Sequence, residues 1–248
     1  MFDKIIRIYR STILVSLFVV FGLGALFLRY CIFPFQKSKI KNYETLQKSW
    51  KFFIYLLEKP GIISIHIKDR EKLENIKSSI IVSTHPSFVD IVILMSIIPH
   101  CTCFVAERLA KNKFLKGIVS LLFILEGQEP EQWIAKAKAA LDSGLNVVIF
   151  PMGIRHRKNE FPRIRRGAAL LAEASEKNIV MIKMEQSYDF LYINQPFYDA
   201  GIDCVEYNIE YAGEISTKDY IEKHRDSVSL KTQITKDISK TLYTNKSL

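Results

Sequence analysis

The chain has 248 residues, enough for one α/β domain with a full apolar core. Hydrophobic residues make up 48% and charged residues 25%, which excludes a disordered or low-complexity chain and is rich for a freely soluble enzyme. Lys and Arg outnumber Asp and Glu by 35 to 26, a formal charge of +9, so an anionic membrane, a phosphorylated substrate or an acidic carrier protein fits as partner. Nucleic acid fits the charge as well, but no nucleic-acid motif occurs and none is expected as a partner.

The apolar excess is concentrated near the start. Ser11 to Leu28 is a run of 18 residues without a charge, bounded by Arg10 and Arg29, and it reaches the minimum length of a transmembrane helix. A buried core helix is the competing reading. The run is long for the apolar part of a signal peptide, and no small-residue cleavage site follows it. Pro34 then breaks the chain, and Tyr43 to Leu57 reads as a second helix. Its Trp50, Phe52, Phe53, Tyr55, Leu56 and Leu57, with Lys48 and Lys51 among them, suit either a helix lying in the bilayer interface or an ordinary core helix. Lys4, Arg7 and Arg10 precede the apolar run and Arg29, Lys37, Lys39 and Lys41 follow it, so positive-residue counting does not choose an orientation. The expected location is the cytoplasmic membrane, with the larger domain on the cytoplasmic side. Lys59-Pro60-Gly61 marks a turn and a boundary, dividing membrane-associated helices at 1–58 from an α/β domain at 59–248.

Beyond that boundary short apolar runs alternate with amphipathic stretches, and the expected fold is α/β, a mixed sheet flanked by helices. Strands are expected at Ile62 to Ile67, Ile80 to Thr84, Thr102 to Ala106, Leu145 to Phe150, Ile179 to Met184 and Cys204 to Tyr211. Helices are expected at Phe88 to Ile98, Lys113 to Leu125, Glu131 to Ser143, Arg166 to Glu176 and from about Thr217. Gly144 suits the position just past a helix end. Leu230, Ile234, Ile238 and Leu242 give the last helix an apolar stripe. The Cys101-x-Cys103 pair beside His100 falls on an expected strand and reads as buried thiols. No closed set of metal ligands and no disulfide framework is evident, so neither a metal nor a bound cofactor is expected.

The block that carries chemistry is His85-Pro86-Ser87-Phe88-Val89-Asp90, where a strand gives way to a helix. Within one helix, residues five apart sit about 140° around the axis and would not meet. With His85 just before the helix and Asp90 in its first turns, the imidazole can fold back onto the carboxylate. Asp90 would accept the Nδ1 proton and leave Nε2 as a general base for a hydroxyl nucleophile. Pro86 suits a first helical turn. About 60 residues on, Phe150-Pro151-Met152-Gly153-Ile154-Arg155 closes another apolar strand. Arg155, Arg157, Lys158, Arg163, Arg165 and Arg166 then place six cations within twelve residues, either a solvated loop or a phosphate-binding rim.

Strand, His-x4-Asp, helix, strand, Phe-Pro-x-Gly-x-Arg: this order resembles the lysophospholipid acyltransferase family, the glycerolipid acyltransferases of the 1-acylglycerol-3-phosphate O-acyltransferase kind. His85 and Asp90 match its first block, and Phe150, Pro151, Gly153 and Arg155 match its third. Lys113-Phe114-Leu115-Lys116-Gly117 and Arg166-Gly167-Ala168-Ala169 are weaker similarities, and the resemblance covers roughly residues 59 to 185. Met152, Ile154 and His156 stand where the family has Glu, Thr and Ser. Glu126 replaces an arginine of the second block, and Ile179 to Met184 lacks the prolines of the fourth. The retained pair beside these changes points to an acyltransferase with an altered acceptor.

The resemblance implies a helical membrane-associated N-terminus, membrane lipids as partners, and acyl-CoA or acyl carrier protein as cosubstrate. His85 and Asp90 would be catalytic. Arg155, Gly153, Pro151 and Arg166 would line the substrate site, with backbone N–H groups near Gly153 available to an oxyanion. The expected function is membrane-bound transfer of a fatty acyl group to a hydroxyl of a lysophospholipid-like acceptor. The alternative is a membrane-anchored lipid-binding or scaffolding protein that keeps the fold with weakened turnover.

Overall fold

The computed structural model describes residues 2–106, 110–112, 116–125, 129–153, 163–192, 194–223 and 230–243. Two long helices come first, α1 (Phe2–Phe27) and α2 (Lys39–Glu58), joined by a π-helical turn at Leu28–Ile32 and a 3-10 turn at Phe33–Phe35. Pro34 sits in that second turn, where its missing N–H stops the helix. The α/β part follows as β1 (Ile63–Lys68), α3 (Arg70–Glu74), β2 (Ile80–Ser83), α4 (Asp90–Ile97), β3 (Cys101–Val105), α5 (Lys116–Leu122), β4 (Ile124–Leu125), α6 (Pro130–Asp142) and β5 (Asn146–Ile149). It closes with α7 (Gly167–Ser175), β6 (Ile179–Gln186), β7 (Val205–Ile215), α8 (Thr217–Lys223) and α9 (Leu230–Tyr243).

The described strands form one seven-stranded sheet in the order β1-β7-β6-β2-β5-β3-β4. Only the β6–β7 pair is antiparallel, so the sheet is mixed, and β2 is central. Period-two alternation distributes its side chains to two layers. Ile81 and Val148 face a core shared with α1, α2 and α4, while Ile80, Val82 and Val147 face a second core under α6, α7 and α9. In α9 the expected stripe of Ile234, Ile238 and Leu242 is the buried face.

The first core is continuous through the chain's opening helices. Leu14 of α1 and Leu46, Trp50, Phe53 and Leu57 of α2 pack in the same cluster as Ile63 and Val148 of the sheet. Phe21 lies 4.6 Å from Phe53, ring centre to ring centre. The two aromatic roles expected of α2 are divided by side: Trp50 and Phe53 point inward, Phe52 and Tyr55 outward. Helix α1 starts at Phe2, nine residues before the expected apolar run, and its polar first turns rest on the domain. Arg7 pairs with Asp199, Arg10 donates to the carbonyls of Gly61 and Asp203, and the Ala200 N–H donates to Ser11 Oγ.

Two expectations change. The apolar stretch ending at Leu125 is split: the helix stops at Leu122, and Ile124–Leu125 adds an edge strand to Phe104 and Val105 of β3. Length alone hides so short a strand behind a helix. The helix expected from Phe88 starts at Asp90, so Pro86 lies in the turn before it rather than in its first turn. Cys101 and Cys103 are buried as expected, and burial pushes the Cys101 thiol well up.

Candidate active site

β2 ends at Ser83, and the chain leaves the sheet without abandoning its hydrogen bonds. Thr84 Oγ1 donates to Met184 O and accepts from the Met184 N–H, both at 2.7 Å, so a side chain extends the β2–β6 ladder where the backbone turns away. Ser87 closes the turn. Its Oγ accepts the Val89 N–H at 3.1 Å, and its own N–H donates to Asp90 Oδ2 at 2.7 Å. Asp90 is the first residue of α4, where the helix dipole favours negative charge, and it is fully buried.

The same carboxylate oxygen accepts His85 Nδ1 at 2.9 Å. In a neutral imidazole this bond puts the proton on Nδ1 and the lone pair on Nε2. The His85 side chain is 18% exposed, so solvent and a ligand can reach the ring. The geometry therefore brings together the two residues the sequence paired.

Its other support comes from the neighbouring strand. β5 runs parallel to β2 with Ile149 opposite Val82, so the segments after both strands emerge at one edge of the sheet, the edge at which open α/β sheets bind ligands. Phe150, the first residue past β5, stacks on His85 with ring centres 3.9 Å apart and planes 15° apart. Such a face restricts the imidazole to rotation in its own plane. Phe150 was legible as part of a motif, but stacking across strands carries no signal in the sequence. Ser87 lies inside the histidine block, yet its hydrogen bonds depend on a turn that spacing alone does not specify.

Pro151 and Gly153 form the turn after Phe150. The Gly153 N–H donates to Phe150 O at 2.9 Å, and the Arg165 N–H donates to Pro151 O at 2.8 Å. The Gly153 N–H is thus committed within the turn. Gly153 has φ +70°, so the backbone calls for glycine; a Cβ there would stand 2.9 Å from the Arg165 guanidinium carbon, the movable end of an exposed side chain. Met152 is buried at 3% exposure. Arg166 is exposed at the N-terminal cap of α7, and among the described residues no hydrogen bond or ion pair joins it to His85 or Asp90. Arg155 and its neighbours Ile154, His156, Arg157 and Lys158 lie outside the described residues, as do Lys113, Phe114, Leu115 and Glu126.

Behind the turn lies an apolar cavity of about 470 Å³. Its wall includes Phe88, three residues from His85 in the chain, together with Phe53, Ile91, Val92, Gly24 and Val119 from α1, α2, α4 and α5. Among the described residues no group of three or more His, Cys, Asp or Glu side chains is arranged to hold a metal ion.

Residues 64–185 match the family model described as Acyltransferase. The chain carries a domain of that family. It is an acyltransferase, and the matched segment contains His85, Asp90, Phe150, Pro151 and Gly153. A comparison with curated proteins gives no match. Among solved structures, the acyltransferase resembles the crystal structure of the 1-acyl-sn-glycerophosphate (LPA) acyltransferase PlsC from Thermotoga maritima. The TM-score is 0.71 at 13% identity, covering 96% of this chain and 97% of that one. At that identity the likeness is one of fold.

Proposed function

We propose that this acyltransferase moves a fatty acyl group from a thioester donor, acyl-CoA or acyl carrier protein, to a hydroxyl of a lysophospholipid-like acceptor. The observation that carries the reading is the His85 Nδ1–Asp90 Oδ2 bond of 2.9 Å. With Nδ1 so engaged, Nε2 takes the acceptor's hydroxyl proton as that oxygen attacks the thioester carbonyl. Asp90 stabilises the imidazolium through the same bond. Collapse of the tetrahedral intermediate breaks the carbon–sulfur bond, and the proton passes from Nε2 to the leaving thiolate. The products are an ester and a free thiol, and the proton balance closes on His85 alone.

The apolar cavity that Phe88 helps to line supports a long acyl chain as occupant, because its wall offers burial to methylenes at about 0.8 kcal/mol each. A phosphate on the acceptor would meet Arg155 or Arg166, guanidinium groups suited to two-point contact. The similar fold of the Thermotoga maritima 1-acyl-sn-glycerophosphate acyltransferase supports the same acceptor class here.

In this reading residues 1–58 hold the enzyme at the membrane and residues 59–248 form the acyltransferase domain, on the cytoplasmic side. Helix α1 is long and apolar enough to cross a bilayer by length and composition, and only 17% of its most apolar window is buried in the fold. Its Arg7 and Arg10 are held by the domain, however, which favours a helix lying in the interface over one crossing it. Val19, Leu23 and Phe27 of α1 and Phe52 and Tyr55 of α2 are exposed and would face lipid.

The test uses the purified full chain with labelled acyl-CoA and acyl carrier protein donors and a panel of lysophospholipids. Wild type is expected to form acylated product, and His85→Ala to lower kcat by about 10²–10⁴-fold with every acceptor. Equal product from His85→Ala would remove the proposed base. Vesicle flotation with anionic liposomes tests the anchoring separately.

A further inference from the structure

We propose that Tyr207, outside the segment matched to the family, is a positioning residue that sets the His85–Asp90 pair through Ser87. Tyr207 lies on β7, which alternates buried Val205, Tyr207 and Ile209 with exposed Glu206 and Asn208. Its ring is fully buried, so its hydroxyl needs partners inside the protein. It has two. The hydroxyl donates to Ser87 Oγ at 2.7 Å and accepts from Gln186 Nε2 at 3.0 Å.

The direction of this chain is fixed by its far end. Gln186 stands opposite Tyr207 in the antiparallel β6–β7 pair. Its Oε1 accepts the Phe190 N–H at 2.9 Å, so Nε2 is the atom turned to Tyr207, and the phenol proton is left for Ser87. Burial, followed by the neighbouring Asp90 carboxylate, pushes the phenol's pKa well up, so it stays a donor. Ser87 Oγ thereby accepts from Tyr207 on one side and from the Val89 N–H on the other. That double hold fixes the turn whose Ser87 N–H reaches Asp90 Oδ2, the oxygen that also receives His85 Nδ1. Asp90 Oδ1 is buried with no hydrogen-bond partner among the described residues, so Oδ2 carries both contacts. A shift of the turn therefore moves the imidazole's anchor directly.

The inference rests on the catalytic reading for its kinetic consequence but not for its geometry, and two measurements separate them. In proton NMR of the full chain, the downfield Nδ1–H signal, assigned by its loss in His85→Ala, is expected to move or broaden in Tyr207→Phe. In steady-state kinetics with a C16 acyl-CoA and 1-acyl-lysophosphatidate, Tyr207→Phe is expected to lower kcat about 3- to 10-fold, the loss of one buried hydrogen bond, with KM within about twofold. Ser87→Ala cuts the same link from the other end, and the double variant is expected to fall no further than the worse single one. An unchanged Nδ1–H signal in both Tyr207→Phe and Ser87→Ala overturns the inference. So does a kcat that stays at the wild-type value, or additive losses in the double variant. If Tyr207→Phe does not fold, Ser87→Ala decides alone. If His85→Ala turns over like wild type, the catalytic reading fails, and the NMR signal still decides whether Tyr207 positions the ring.

Discussion

At the His85 turn each contact is directional and has one partner: an imidazole nitrogen on one carboxylate oxygen, a serine N–H on that same oxygen, a threonine hydroxyl standing in for a strand. The cavity that Phe88 helps to line is walled by described side chains among which Ser49 alone carries a hydroxyl, and its contacts have no preferred direction. The two regions adjoin, and the physics differs. In the first, removing an atom leaves a buried partner unsatisfied, at about 1–3 kcal/mol, more where a charge is involved. In the second, the cost follows volume, so substitutions grade an effect rather than abolish it. Turnover should accordingly depend on the turn, and chain-length preference on the cavity.

The sharpest way to break this division is Asp90→Asn. The amide keeps the shape but loses the charge that stabilises an imidazolium, and kcat should fall about 10- to 100-fold, the range of a charge-assisted hydrogen bond. The ranking of acyl donors by length should not move. A changed ranking, read from initial rates with C10 to C18 donors, would show that the regions are coupled.

Next is Gly153→Ala. Forcing a left-handed backbone on alanine costs about 1–2 kcal/mol, and the Cβ also presses on the Arg165 guanidinium. The melting temperature should drop, and kcat should fall with it as Phe150 is displaced. A thermal shift of zero would mean that the turn relaxes freely. Phe150→Leu should be milder. It keeps an apolar neighbour but loses the flat face on His85, worth about 0.5–1.5 kcal/mol or roughly two- to tenfold in kcat. The smallest expected effect on rate is from Gly24→Leu. A Cβ at Gly24 meets nothing within 4 Å and Gly24 lines the cavity, so the new side chain has room to begin there. Turnover of short donors should hold, while long donors lose about 0.8 kcal/mol for each methylene displaced. Loss of short-donor turnover would place Gly24 closer to the reacting centre than the cavity suggests.

The legible parts of this molecule are those in which a local pattern and the tertiary answer coincide. His85 and Asp90 could be paired from spacing because one turn joins them, and the apolar strands Ile80–Ser83 and Asn146–Ile149 announce themselves by β-branched composition. Phe150 on His85 and Tyr207 on Ser87 are cross-strand meetings, set by register and by a separation of 120 residues in the second case, so no window of sequence contains them. The two-residue strand β4 was hidden because its ladder to β3 outweighs a helical run of apolar residues only once β3 is in place. The polar start of α1 was hidden because Arg7 and Arg10 look like the flanks of a membrane segment until their partners appear.

Those partners have a consequence for biosynthesis. Arg7 and Arg10 are joined to residues 192 and 193 positions later, and β1 finds its neighbour only in β7. A chain that emerges from its N-terminus at about 5–20 residues per second makes α1 first and the partners of Arg7 and Arg10 last. Through most of translation the polar start of α1 therefore has no partner, although α2 can already pack on its inward side. Val19, Leu23 and Phe27 stay exposed throughout, and under the proposed anchoring they would meet lipid before the active site exists.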